Sequence, residues 1–141
     1  MFLTFGFKSV TMDDIARKLG VSKKTLYTYY SNKEELVRAC VFDFFNYVTE
    51  EINRICQQSK NPIIELHDIK MFMMRHIKNE KISPQYQLEK YYPEIFNELS
   101  DKQLHFMIGC VSKSLNSGVA MGLFRDNLNI PFIARLYFNG M

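Results

Sequence analysis

Residues Thr11 to Lys33 read TMDDIARKLGVSKKTLYTYYSNK, and this stretch decides the fold. Thr11 is a strong N-cap, and Asp14 three residues later completes a capping box. Asp13 and Asp14 also lie where the positive end of a helix dipole favours carboxylates. Ile15, Ala16 and Leu19 form one apolar stripe. Gly20 falls where a left-handed C-terminal residue is expected, and Val21 is an apolar plug before the next helix. Ser22 caps that helix, which the pattern extends from Lys23 to Tyr30. Its inward side is Leu26 and Tyr30; its outward side is Lys23, Lys24, Thr25, Tyr27, Thr28 and Tyr29. Ser31 and Asn32 stop it and cap a third helix, with Glu34 and Glu35 each three residues on. Two short helices joined by a tight turn can lay the second one in a DNA groove.

The outward side has the chemistry of a DNA reader. Lysines at the start of the helix can meet phosphates or guanine acceptors. The free amides of that end also attract phosphate. Thr25 can reach a base edge or a thymine methyl, and tyrosine hydroxyls can donate to phosphate oxygens. A lysine pair alone would read as a solvated face. Two tyrosines on the same short exposed face instead mark a contact surface.

Gly6-Phe7, Thr11, Ile15-Ala16, Gly20-Val21-Ser22, Leu26-Tyr27, Tyr29-Tyr30 and Asn32-Lys33-Glu34-Glu35-Leu36 together closely resemble the TetR (tetracycline-repressor-like) family of bacterial transcriptional regulators. That spacing is far more specific than a generic helix-turn-helix. The resemblance implies that Lys23, Lys24 and Thr25 face the bases and that Thr11, Tyr27, Tyr29 and Lys33 hold the backbone. With Ser22 they form the expected DNA-binding set. Tyr30 stands where the family usually has phenylalanine, which fits a packing role.

The chain has 141 residues, 47% of them hydrophobic, so it is globular rather than disordered. The net charge of +3 is unevenly placed. Through Lys33, six basic residues (Lys8, Arg17, Lys18, Lys23, Lys24, Lys33) face Asp13 and Asp14, giving +4; the other 12 basic and 13 acidic residues give −1. A basic head on a near-neutral body fits a nucleic-acid contact confined to the head. Cys40, Cys56 and Cys110 are odd in number and set among apolar residues, and so read as buried free thiols of a reducing cytoplasm. No signal peptide is visible, and no apolar run approaches the ~20 residues of a membrane span.

The body reads as helices throughout, so the expected fold class is all-α. The expected division is a helix-turn-helix head over 1–31, with the start of the long helix at 32–45 packing on it, and a helical regulatory and dimerisation domain over 32–141. Phe2, Leu3 and Phe5 resemble the end of a truncated first helix closed by Gly6, and the C-terminal end also reads as incomplete. A long helix from Asn32 to Gln58 carries the stripe Leu36, Cys40, Phe44, Val48, Ile52 and Ile55, widened by Val41 and Phe45. Asn61-Pro62 starts another, with Leu66, Ile69, Met73 and Ile77 inside. Asn79 to Ser83 reads as a loop, and Ser83-Pro84 starts a short segment that Tyr92-Pro93 ends. A helix then runs towards Gly118 with a kink near Ser100-Asp101, and Asn129-Ile130-Pro131 opens a last one after a turn over Arg125 to Asn129.

Methionine and aromatic side chains suit an irregular apolar pocket, though most such residues are ordinary core. Polar residues interrupting apolar faces are better pointers. Gln103 and Ser114 fall in register with Phe106 and Cys110, and His76 lies beside Met73. With Tyr91 these make the expected pocket for an apolar small-molecule effector. His67, His76 and His105 have no metal spacing, and no nucleophile elbow, phosphate-cradling loop or zinc-protease motif occurs. No cofactor, metal or catalytic constellation is expected. The expected protein is a ligand-responsive regulator, a repressor, binding a near-palindromic double-stranded DNA operator as a homodimer. The rival is a small-molecule-binding helical module that keeps the helix-turn-helix only as scaffold. An enzyme on a helical bundle is a weaker third.

Overall fold

Thr11 does what its position requires. In the computed structural model its hydroxyl accepts from the Asp14 amide at 3.2 Å, and its own amide donates to Asp14 Oδ2 at 3.0 Å. Helix α1, Met12–Leu19, starts there and ends on Gly20, whose φ of 68° is left-handed. The amide of Val21 then closes back on the Ala16 carbonyl at 3.0 Å. Six more helices follow: α2 Lys23–Tyr29, α3 Lys33–Gln58, α4 Pro62–Ile77, α5 Pro84–Tyr91, α6 Pro93–Ala120 and α7 Ile130–Asn139. The structure describes residues 2, 6–59, 61–77 and 84–139, without the side chains of 76, 77, 138 and 139. Among the described residues there are helices and no strands, so the fold is all-α.

Packing divides the chain into two units. The first holds Met1–Phe45 and Glu80–Leu99, the second Asn46–Asn79 and Ser100–Met141. Helices α3 and α6 each begin in the first unit and end in the second. The first core gathers Phe7, Val10, Ile15, Ala16 and Leu26 with Leu36, Val37 and Val41 of α3 and Leu88, Ile95 and Leu99. Phe7 stacks on Phe2 at 5.4 Å between ring centres and meets Tyr92 edge-on at 6.2 Å. The second core gathers Ile52, Ile69, Met107, Val111, Leu115 and Ala134, with Phe72, Met73, Phe106 and Tyr137 against it.

Several expectations need correction. Leu19 stays 63% exposed and Val21 40% exposed, because the buried face of α1 is Met12, Ile15 and Ala16, which lie ahead of its last turn. On α3, Cys40 and Phe44 are exposed while Val37 and Val41 are buried. Repeated steps of four drift round a helix by about 40° each, so a fixed face must alternate threes and fours. Cys40 is therefore not a buried thiol. Helix α6 runs without a break past Ser100-Asp101 to Ala120, and the turn before α7 begins at Met121. The caps Asn61 and Asn129 behave as expected, accepting from the Ile63 and Phe132 amides. Leu3, Phe5, the Asn79–Ser83 loop and the side chain of Ile77 lie outside the described residues.

Candidate nucleic-acid interface

The candidate interface is built by α2. Leu26 is buried, and Tyr30, just past the helix end, packs against the same core. Those two anchors turn Lys23, Lys24, Thr25, Tyr27, Thr28 and Tyr29 outward, and all six are exposed. Tyr29 is the most open, at 76%. The helix is one residue shorter than the sequence suggests, because Tyr30 adopts an extended backbone as the C-cap.

The outward residues differ in what already holds them. Ser22 Oγ accepts from the Thr25 amide at 3.0 Å and lies 2.8 Å from the Thr25 hydroxyl, so it fixes the start of the helix. Lys23 reaches back to α1 and pairs with Asp13 at 2.8 Å. That hydrogen bond and the Asp13 charge hold the Lys23 ammonium above its ordinary pKa. Lys23 also lies 6.0 Å from the Tyr27 ring centre. The Thr11 hydroxyl donates to Asp14, and that bond, with the one from the Thr11 amide, holds the Asp14 carboxyl below its ordinary pKa. Lys33, at the start of α3, donates to the Lys8 carbonyl at 3.4 Å, and partial burial lowers its pKa. Among the described residues the side chains of Lys24, Tyr27 and Tyr29 make no hydrogen bond or ion pair, while the Lys24 carbonyl accepts from the Thr28 hydroxyl at 3.0 Å.

Two residues of this surface were not singled out from sequence. Asp13 was read only as a helix-dipole partner, yet it holds Lys23. Lys8 lies beside Lys33 and 5.4 Å from the Tyr91 ring centre. Their proximity depends on the turn geometry, which the spacing alone does not fix.

The expected effector residues are placed unevenly. Met73, Phe106 and Cys110 pack on the second core, and Ser114 is buried there, with its hydroxyl donating to the Glu65 carboxylate. Gln103 is half-buried in the same unit, whereas Tyr91 is exposed and belongs to the first unit. The side chain of His76 lies outside the described residues. An open hollow of about 400 Å³ in the second unit is lined by Ile55, Gln58, Ser59, Asn61, Ile64 and Asp68, none of them in the expected set. No group of three His, Cys, Asp or Glu among the described residues could hold a metal ion. No described helix is long and apolar enough to cross a membrane.

With this geometry in place, the likeness to known proteins can be judged. Residues 1–40, which include all of α1 and α2, match the bacterial regulatory proteins of the tetR family. The head of the chain, residues 1–40, is that of the tetR family. It is 35% identical over 68 residues to the HTH-type transcriptional regulator YhgD of Bacillus subtilis, covering 48% of this chain and 33% of that protein. It is 25% identical over 143 residues to the HTH-type transcriptional repressor KstR2 of Mycolicibacterium smegmatis, covering 96% of this chain and 67% of that one. The chain thus spans between a third and two thirds of these TetR-family relatives. The fold matches the transcriptional regulator FadR from Bacillus subtilis, solved in complex with stearoyl-CoA, with a TM-score of 0.71 and 17% identity over 98% of this chain and 75% of that one.

Proposed function

We propose that this chain is a ligand-responsive transcriptional repressor of the TetR family, working in the cytoplasm and binding a near-palindromic double-stranded DNA operator as a homodimer. The outward face of α2 carries this reading. Lys24, Tyr27 and Tyr29 stand in solvent on a helix whose other side is anchored by Leu26. A helix that served only as scaffold would have no reason to expose two phenols beside two lysines. In this reading Lys23, Lys24 and Thr25 meet base edges, while Thr11, Tyr27, Tyr29 and Lys33 meet phosphates. Ser22 keeps the start of the reading helix in place. Lys23 exchanges Asp13 for DNA at little cost, because the pair is exposed on both sides. Two heads related by a dyad meet half-sites about one helical turn apart.

The effector is an apolar small molecule bound in the second unit, whose core carries Met73 and Phe106. The complex of FadR with stearoyl-CoA makes long-chain acyl-CoA the first class to test. Such a ligand releases DNA only by binding the two states of the dimer with different affinity.

Footprinting of the protein on genomic fragments, followed by titration of the retained site, tests the reading. Lys24→Ala and Tyr29→Ala should each weaken operator binding about tenfold, or ~1.4 kcal/mol. Lys24→Ala should also lower the salt slope by ~1 if Lys24 meets a phosphate. Unchanged affinity in both variants overturns the placement of the interface. Thermal shifts with a panel of acyl-CoA esters test the effector arm, and no stabilisation by any of them removes it.

A further inference from the structure

We propose that Cys56 and Cys110 form a redox-modification site, a dithiol that hydroperoxides close to a disulfide. The two sulfurs lie 3.4 Å apart, although 54 positions separate them in the chain. Cys56 is near the end of α3 and Cys110 is midway along α6, and both are half-buried free thiols of the second unit. A disulfide needs an S–S distance of about 2.05 Å, so closure asks each side chain for only a small rotation.

The surroundings suit the chemistry better than they suit a packed core. The Glu65 carboxylate lies beside Cys56 and accepts from the Ser114 hydroxyl. Ser114 also reaches the Cys110 carbonyl at 3.2 Å. Lys113 and Tyr137 are the other titrating groups near Cys110. An apolar core has no need of two thiols, a carboxylate and a hydroxyl in one corner. Burial pushes both thiols above their ordinary pKa. Either sulfur can donate in the contact between them. The Lys113 charge near Cys110 favours a thiolate there, which makes Cys110 the attacking sulfur and Cys56 the resolving one.

The Cys110 thiolate attacks the terminal oxygen of a hydroperoxide. The O–O bond breaks, leaving a sulfenic acid on Cys110, and the departing alkoxide takes up the proton that the Cys110 thiol released, giving an alcohol, or water in the case of hydrogen peroxide. The Cys56 thiol then gives its proton to Glu65 and attacks the sulfenic sulfur. Hydroxide leaves and takes up that proton as water. In sum, two thiols and one hydroperoxide give one disulfide, one alcohol and one water. Where disulfides occur in reducing compartments they are mostly transient and redox-sensing, which fits this site. Cys40 is exposed and belongs to the first unit, so it serves as an internal control.

The site is read on sulfur and does not depend on the regulatory reading. The reduced full chain is treated with hydrogen peroxide, then analysed by intact mass, thiol counting under denaturation and peptide mapping. The expected result is a loss of two hydrogens, one free thiol left at Cys40, a linked peptide joining Cys56 to Cys110, and reversal by dithiothreitol. Cys40→Ser should leave the cross-link intact, and Cys56→Ser or Cys110→Ser should abolish it. The wild-type peptide map decides even if a serine variant folds poorly. A map showing bridges only through Cys40, or sulfinic acid at Cys110 with Cys56 still free, overturns the proposal.

Discussion

Among the described residues the first unit buries only apolar side chains around Leu26, while around Cys110 the second unit buries a serine hydroxyl and half-buries two thiols. The first unit keeps its polar chemistry on the outer face of α2. The second keeps its polar chemistry inside, on the facing sides of α3, α4 and α6. The contrast fits the partners proposed for each. A phosphate backbone is met from solvent, by groups that can stay hydrated until contact. A small ligand or an oxidant is met in a partly dry corner, where each polar atom needs a partner. Regions that depart from simple apolar packing are where function is usually found.

The widest test of this contrast removes one core isoleucine from each unit. Ile95→Ala in the first and Ile69→Ala in the second delete side chains that are almost wholly buried. Each should cost ~2–5 kcal/mol in urea unfolding followed by tyrosine fluorescence. If the units differ only in where their polar groups lie, the two losses should be similar. A loss under ~1 kcal/mol for Ile69→Ala would mean that the second core is loosely packed.

Next in size is Gly118→Ala. Gly118 is buried in α6, and a Cβ there would lie 2.1 Å from Cδ2 at the edge of the Phe124 ring, which packs on the second core. Overpacking of this kind should cost ~1–3 kcal/mol. The substitution is conformationally ordinary for a helix, so the loss measures how firmly Phe124 is held. A neutral result in the same unfolding assay would show that the ring swings aside freely.

How much of this was legible from sequence also divides along the two units. The head was legible because short-range rules fix it. Thr11, Asp14, Gly20, Ser22 and Leu26 each have a local job, and the structure shows each one doing it. Leu19 and Val21 were misjudged because burial depends on where the neighbouring core ends, which no local pattern states. In α3 the apolar residues are so dense that several stripes could be drawn, and only packing chose Val37 and Val41 over Cys40 and Phe44. Of the effector residues, Ser114, like Gln103, could be singled out as a polar group in register with Phe106 and Cys110. Cys56 and Glu65, the partners of Cys110 and Ser114, could not, since they come from other helices and meet only after folding. The same holds for Asp13 and Lys23, ten residues apart across the turn.

A smaller effect belongs to the exposed side of the first unit. Thr11→Ala removes the hydroxyl half of the capping box and leaves the backbone half, and should cost ~1 kcal/mol. It also deprives Asp14 of the hydroxyl hydrogen bond, the first cause of its lowered pKa, while the backbone one stays. Thr11 and Lys24 therefore separate two kinds of role on one surface. Thr11→Ala should lower stability, whereas Lys24→Ala should leave the melting curve in place. A Lys24→Ala variant as unstable as Thr11→Ala would make Lys24 part of the scaffold.

The smallest effect appears only in alkali, and it probes the interior of the second unit. Tyr137 donates its phenolic proton to the Leu66 carbonyl at 2.5 Å. Burial, with the Cys110 charge adding to it, pushes the phenol up from 10.0 to about 12. Below pH 10 the phenol is protonated in both folded and unfolded chains, and its contribution to stability is complete. Between pH 10 and about 12 the unfolded phenol ionises while the folded one keeps its proton, so stability is lost as pH rises through that window. Tyr137→Phe deletes the hydrogen bond, worth ~1 kcal/mol, at every pH below the window. It should also flatten the alkaline decline, so the curves of variant and wild type converge as pH approaches 12. Parallel curves across the window would mean that the phenol ionises equally well in the folded chain. Tyr92, raised by burial and by Glu34, makes the same measurement available in the first unit. A steeper loss assigned to Tyr137 than to Tyr92 is what a polar group held inside the second core requires.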